Sequence, residues 1–251
     1  MRIPIITANW KMNKTISETE EFITSFLPMV EDASDVDIII APPFTSLSDA
    51  AGMLRDSNIY LAAQDVFYED KGAFTGEVSP LMLKDIGCSH VIIGHSERRQ
   101  FFGETDETVN KKITAAKRHD LEVILCIGES LSERKSGETF NVLERQLSEG
   151  LKGIDISSIT IAYEPVWAIG TGKTATPEQA NDAHRFIRQC IRNIYGDNAS
   201  MQTRILYGGS VTPENISGLM KMPEIDGALV GGASLRPEGF AGIVRYNRIR
   251  P

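Results

Sequence analysis

The sequence predicts an α/β protein: one domain over residues 1–251, folded as a single (β/α)8 barrel with eight parallel strands. Three observations carry that prediction. Eight short apolar or β-branched runs alternate with helical patterns over 251 residues, roughly 31 residues per unit, about the size of a βαβ repeat. The runs are apolar throughout, as strands are when helices cover both faces of a parallel sheet. The first run is followed by Asn9-Trp10-Lys11-Met12-Asn13, where a doubly wound sheet would place a glycine-rich fingerprint. Eight parallel units of this length suit a closed barrel better than an open sheet.

In chain order, strands are expected at residues 3–10, 36–41, 59–64, 90–94, 122–127, 159–163, 204–208 and 227–230. Helices are expected near 17–31, 45–55, 79–87, 105–118, 130–152, 177–196, 213–221 and 238–247. One helix start is marked by Thr176-Pro177-Glu178: an N-cap, a proline at the first helical position and an acid after it. The third connection, residues 65–79, is long and carries Val66, Phe67, Tyr68 and Phe74. Bulky apolar residues argue against disorder, so it either folds back on its own barrel or is buried by a partner.

Hydrophobic residues make up 41% and charged residues 24%, which is globular composition. A net charge of −8 without a basic stripe makes nucleic acid and anionic membrane surfaces poor partners. Cys88, Cys126 and Cys190 are odd in number and widely spaced, so they read as free thiols in a reducing compartment. With no leader pattern and no long apolar run, a soluble cytoplasmic protein is expected.

The richest stretch runs from Ala162 to Ala175. A strand ends in Glu164, and Pro165 stops ladder pairing because it has no N–H. Val166, Trp167, Ala168, Ile169, Gly170, Thr171, Gly172, Lys173, Thr174 and Ala175 follow before the next helix. A βα loop is usually two to six residues, so this length favours a mobile flap over a fixed acid, the layout of a general base under a lid.

In a barrel of this kind the site lies at the C-terminal ends of the strands. Those ends carry Asn9 and Lys11 (two apart and expected on one face, with Trp10 on the other), His95-Ser96-Glu97, Cys126 to Glu129, Glu164, Tyr207 to Ser210, and Gly231-Gly232. Each has an ordinary explanation alone. A lysine can snorkel, a histidine can be structural, Glu97 can face a helix dipole, and paired glycines can make a turn. Cys126 reads as a small buried apolar residue rather than a nucleophile. An amide, an ammonium, an imidazole and a carboxylate at the same end of independent strands are harder to dismiss. Backbone N–H groups at the glycine pairs can approach an oxyanion closely, and loops after strands 7 and 8 are the usual phosphate site of such barrels. Gly170 could add another N–H. Gly172-Lys173-Thr174 is not a P-loop, because the first glycine of that motif would fall at Trp167. No His/Cys/Asp cluster has metal-ligand spacing, and no cofactor is expected.

Ala8-Asn9-Trp10-Lys11-Met12-Asn13, Gly94-His95-Ser96-Glu97-Arg98-Arg99, Ala162 through Ala175 and Tyr207-Gly208-Gly209-Ser210-Val211 together resemble the triosephosphate isomerase family over essentially the whole chain. Lys14 stands where many members have glycine. The resemblance implies a TIM barrel that interconverts dihydroxyacetone phosphate and glyceraldehyde 3-phosphate without metal or cofactor, in glycolysis and gluconeogenesis. It implies Glu164 as base, His95 as the group that polarises the carbonyl, and Lys11 and Asn9 as stabilisers of developing charge. Glu97 would stand behind Lys11, with Ser96 close by. Substrate would meet Asn9, Lys11, Gly170, Ser210, Gly231 and Gly232. Pro165 to Ala175 would close as a lid, latched by Tyr207 and Ser210, with Glu129 holding Trp167 when open. Ile169 and Leu229 would close on the base. The 65–79 loop would enter a second subunit, with Thr75 supporting the neighbour's Asn9–Lys11 region in a homodimer. A Schiff-base aldolase using Lys11 and a catalytically inactive barrel that only binds a phosphate ligand are the competing readings.

Overall fold

A computed structural model describes residues 2–168 and 175–247. Its strands are β1 (Ile5–Asn9), β2 (Asp37–Ala41), β3 (Ile59–Ala63), β4 (His90–Ile93), β5 (Glu122–Ile127), β6 (Ile159–Tyr163), β7 (Ile205–Tyr207) and β8 (Gly227–Val230). All neighbours pair in parallel, and β1 pairs with both β2 and β8, closing the barrel. The expected strand positions hold, with ends trimmed by one or two residues.

Strand residues alternate between two cores. Ile5, Ile39, Ala41, Ala62, Ile92, Ile124, Cys126, Ala162, Leu206 and Leu229 form one cluster drawn from all eight strands. Their neighbours, such as Ile38 and Ile40, join the larger cluster under the helices. Both faces of every strand are therefore apolar, which is why the runs do not alternate in polarity.

The helices are α1 (Ile16–Val30), α2 (Leu47–Leu54), α3 (Pro80–Asp85), α4 (Ser96–Phe102), α5 (Asp106–Arg118), α6 (Leu131–Lys135), α7 (Thr139–Gly150), α8 (Pro177–Tyr195), α9 (Asp197–Gln202), α10 (Ile216–Leu219) and α11 (Pro237–Val244). Thr176 caps α8 in a reciprocal capping box with Gln179, and Pro177 opens it, as expected. The helix expected over 130–152 is two helices, because Gly137 takes a left-handed turn at φ 79° between them. Helices α4 and α9 were not expected from periodicity. Their sequences SERRQFF and DNASMQ present no apolar stripe.

The 65–79 loop is tied down at its base and exposed at its tip. Val66 is buried, and Asp65 pairs with Lys112 at 2.6 Å and Arg98 at 2.9 Å. Phe67 stacks on Tyr68 and packs against Phe74, while Thr75 is exposed. No helix among the described residues is long and apolar enough to cross a membrane.

Candidate active site

A cavity of about 560 Å³ opens at the C-terminal ends of the strands, lined by Asn9, Lys11, His95, Ser96, Glu97, Glu164, Ser210, Leu229, Gly231 and Gly232. Most of the strand-end residues singled out in the sequence thus line one cavity, whereas Thr75, Cys126, Glu129 and Tyr207 do not.

Glu164 follows β6 and is 2% exposed. Its place is fixed by backbone: its N–H donates to the Ile127 carbonyl at 2.8 Å. A Cβ on Gly128 would sit 1.7 Å from the Glu164 carbonyl oxygen, so only glycine lets β5 and β6 approach here. The carboxylate accepts from the Ser96 backbone N–H at 2.9 Å and the Ser96 hydroxyl at 3.0 Å. His95 Nε2 lies 3.1 Å from its Oε1. A buried charge needs such partners, and the first turn of α4 supplies two of them.

His95 is the N-cap of α4, and the Glu97 backbone N–H donates to its Nδ1 at 3.2 Å. A nitrogen that accepts carries no proton, so the ring hydrogen sits on Nε2, facing Glu164.

Lys11 reaches the pocket differently from the expected strand alternation. β1 ends at Asn9, and Lys11 turns off it at φ 53°, a left-handed conformation unusual for lysine. Three bonds hold the turn. The Lys11 N–H donates to Asn9 Oδ1 at 3.0 Å, and Gln64 Nε2 donates to both the Lys11 and the Ala41 carbonyls at 2.9 Å. The ammonium sits 2.6 Å from Glu97 Oε1. Trp10 is fully buried and, with Asn9 and Lys11, also borders the cavity rather than facing only away from it.

Below Trp167 lies a second buried carboxylate, Glu129, with no exposed surface. It accepts from Trp167 Nε1 at 2.9 Å, from the Tyr163 hydroxyl, and from Arg134, 3.0 Å away. The Arg134 guanidinium also lies 4.3 Å from the Trp167 ring centroid. Val166–Ala168 form one 3-10 turn after the buried Pro165. Tyr207 ends β7 with its phenol buried and pushed up to about 12 by desolvation. Its oxygen faces the Ala175 backbone without closing a bond of ordinary geometry. A Cβ on Gly209 would come within 2.3 Å of that oxygen. Ile169, Gly170, Thr171, Gly172, Lys173 and Thr174 lie outside the described residues.

Cys126 is buried and free, and burial followed by the Glu164 charge pushes its thiol far up, which suits an inert packing group. Sequence reasoning missed Gln64, Arg134 and Gln146, whose amide bonds both the N–H and the carbonyl of Gly128. Gln64 had a signal: it is a polar residue at the tip of an apolar strand. Arg134 and Gln146 had none: Arg134 bonds Glu129 five residues before it but also stacks on Trp167 from another loop, and Gln146 reaches Gly128 from α7. Among the described residues, no group of three or more His, Cys, Asp or Glu side chains is placed to hold a metal ion.

A carboxylate and an imidazole N–H facing each other beside glycine loops at the top of a (β/α)8 barrel define a class: barrel enzymes that move protons on small phosphorylated carbonyl compounds. The family model of triosephosphate isomerase matches residues 4–247. Proteins named triosephosphate isomerase from Geotalea uraniireducens and Geobacter metallireducens are each 58% identical, over 98% of this chain and 100% and 99% of their own lengths. One from Caldanaerobacter subterraneus subsp. tengcongensis is 54% identical over 98% of this chain and all of its own. The chain belongs to the triosephosphate isomerase family, and is an intramolecular isomerase whose substrate is a triose phosphate.

Proposed function

We propose that Glu164 is the base that removes a proton from the carbon beside the substrate carbonyl, forming an enediolate. His95 Nε2–H points into the same space and polarises the carbonyl. It then moves protons between the two oxygens. Lys11, paired with Glu97, and Asn9 stabilise the negative charge that develops on those oxygens. The observation that carries this reading is the 3.1 Å approach of His95 Nε2 to the Glu164 carboxylate. Base and electrophile share one small volume, as successive proton transfers on adjacent atoms require.

The phosphate end binds between the Ser210 loop and the Gly231–Gly232 turn, where backbone N–H groups meet little steric obstruction. Pro165 to Ala175 form a lid that excludes water from the enediolate. Trp167 on Glu129 and Arg134 is the arrangement expected of the open lid, and Tyr207 and Ser210 are its latch when closed. On closure Ile169 and Leu229 would pack on Glu164, and Gly170 would add an N–H for the phosphate. The active unit is one catalytic domain in a cytoplasmic homodimer, serving glycolysis and gluconeogenesis. Phe74 (42% exposed) with Phe101 and Phe102 (67% and 69%) leaves apolar surface that a partner would cover, with Thr75 supporting the neighbour's Asn9–Lys11 turn.

Turnover in deuterated water tests the chemistry. Deuterium should enter the product at the former carbonyl carbon, the neighbour of the one that lost its proton. Complete retention of the original hydrogen over many turnovers, without exchange, would point to hydride transfer instead.

A further inference from the structure

The two ends of this site are joined by one side chain that touches neither reacting atom. Trp10 is pinned at three points: its N–H donates to the Ala41 carbonyl at 3.1 Å, its carbonyl accepts from Asn13 Nδ2 at 2.6 Å, and its indole N–H donates to the Ser234 carbonyl at 3.1 Å. The ring is fully buried, edge-on to Phe22 at 4.8 Å, with the Lys14 ammonium 5.3 Å from its centroid. Ser234 belongs to the 3-10 turn Gly232–Leu235, and it draws that turn tight. Its N–H and hydroxyl both donate to the Gly231 carbonyl, at 2.8 and 2.7 Å, and the hydroxyl also reaches the Val230 carbonyl at 3.0 Å. The Lys11 stem runs alongside, since a Cβ on Gly231 would lie 3.6 Å from Lys11 Cε.

We propose that Trp10 is a positioning residue for substrate phosphate: its backbone carries Lys11 while its indole N–H holds the Gly231–Leu235 turn, so one rigid ring sets the spacing between the ammonium at the carbonyl end and the N–H groups at the phosphate end. This rests on the proposed placement of phosphate at Gly231–Gly232. The ring is suited to the task because packing and hydrogen bonds leave it one orientation. Without the indole donor the buried Ser234 carbonyl loses its partner there, and the turn is free to relax away from Lys11.

The test replaces the donor and compares substrates. In Trp10→Phe, kcat/KM for glyceraldehyde 3-phosphate should fall about tenfold relative to kcat/KM for unphosphorylated glyceraldehyde, with most of the loss in KM, as expected for one buried hydrogen bond. The inhibition constant of inorganic phosphate should rise by a similar factor. Benzothienylalanine at position 10, which exchanges the N–H for sulfur in a ring of almost the same shape, should reproduce both changes in a chain that keeps its packing. Equal losses on the two substrates would reduce Trp10 to a packing residue and overturn the proposal, as would unchanged phosphate inhibition in the benzothienyl variant. Wild-type turnover, measured alongside, reports separately on the isomerase reading.

Discussion

Ser96 holds the Glu164 carboxylate by two hydrogen bonds, one from its backbone N–H and one from its hydroxyl, each near 3 Å. The carboxylate proposed as base is therefore parked on the first turn of α4, beside His95, which caps the same helix. Removing the hydroxyl leaves the backbone donor and loosens the carboxylate. Ser96→Ala should lower kcat about tenfold, the cost of one hydrogen bond to a charged group. The inhibition constant of inorganic phosphate should move less than about twofold. Steady-state kinetics with phosphate inhibition would check this, and a purely KM effect would contradict it.

Trp167 donates to Glu129 at 2.9 Å and lies under Arg134. Trp167→Phe keeps a ring for the guanidinium but removes the donor, which should weaken the arrangement proposed for the open lid. A phosphate-monoester inhibitor should then bind about fivefold more tightly, the size of a neutral hydrogen bond. Unchanged or weaker binding would show that this bond does not bias the lid.

Two buried histidines set a pH dependence of stability. Burial pushes His184 down to about 3 and His90 down to about 4, from 6.5. Their folded values lie below the unfolded one, so the unfolded chain binds more protons in between. Stability from both is complete above about pH 6.5 and is lost as pH falls, toward about 4 for His90 and about 3 for His184. Between pH 6.5 and 5 the loss is on the order of 2 kcal/mol per histidine. Urea midpoints should fall over that window, and His90→Gln should flatten the slope. A slope unchanged in that variant would contradict the assignment.

The 65–79 loop is anchored by Asp65 and Val66 but exposes its tip. Deleting residues 68–77 leaves the anchor in place, so the barrel should still fold. The product should be a monomer with greatly reduced activity, read by sedimentation and turnover together. A shortened chain that remained dimeric and fully active would refute the role given to Thr75.

What the sequence made legible was chemistry at strand tips. Asn9, His95, Glu164 and the glycine pairs stand out because polar or small residues interrupt apolar runs at positions where a barrel puts its site. The reach of Lys11 was read correctly but for an incomplete reason: a left-handed turn held by Gln64, not strand alternation, sends it into the pocket. Helix α4 was hidden because its order comes from the His95 cap and a left-handed Gly103 rather than from an apolar face. Arg134, Gln146 and the Trp10–Ser234 bond were illegible for one common reason. Each makes a contact between elements far apart in the chain: Arg134 with the Trp167 ring, although it also bonds the nearby Glu129, Gln146 with Gly128, and Trp10 with Ser234.

Glu164 is proposed to carry the proton transfer in the pocket around His95. The most direct measurement is isomerase activity on glyceraldehyde 3-phosphate in EDTA, with wild type and Glu164→Gln side by side. Fast turnover should survive the chelator and fall by at least about a hundredfold in the variant, as loss of a general base requires. A folded wild-type protein without turnover, or a Glu164→Gln variant of undiminished rate, would contradict it.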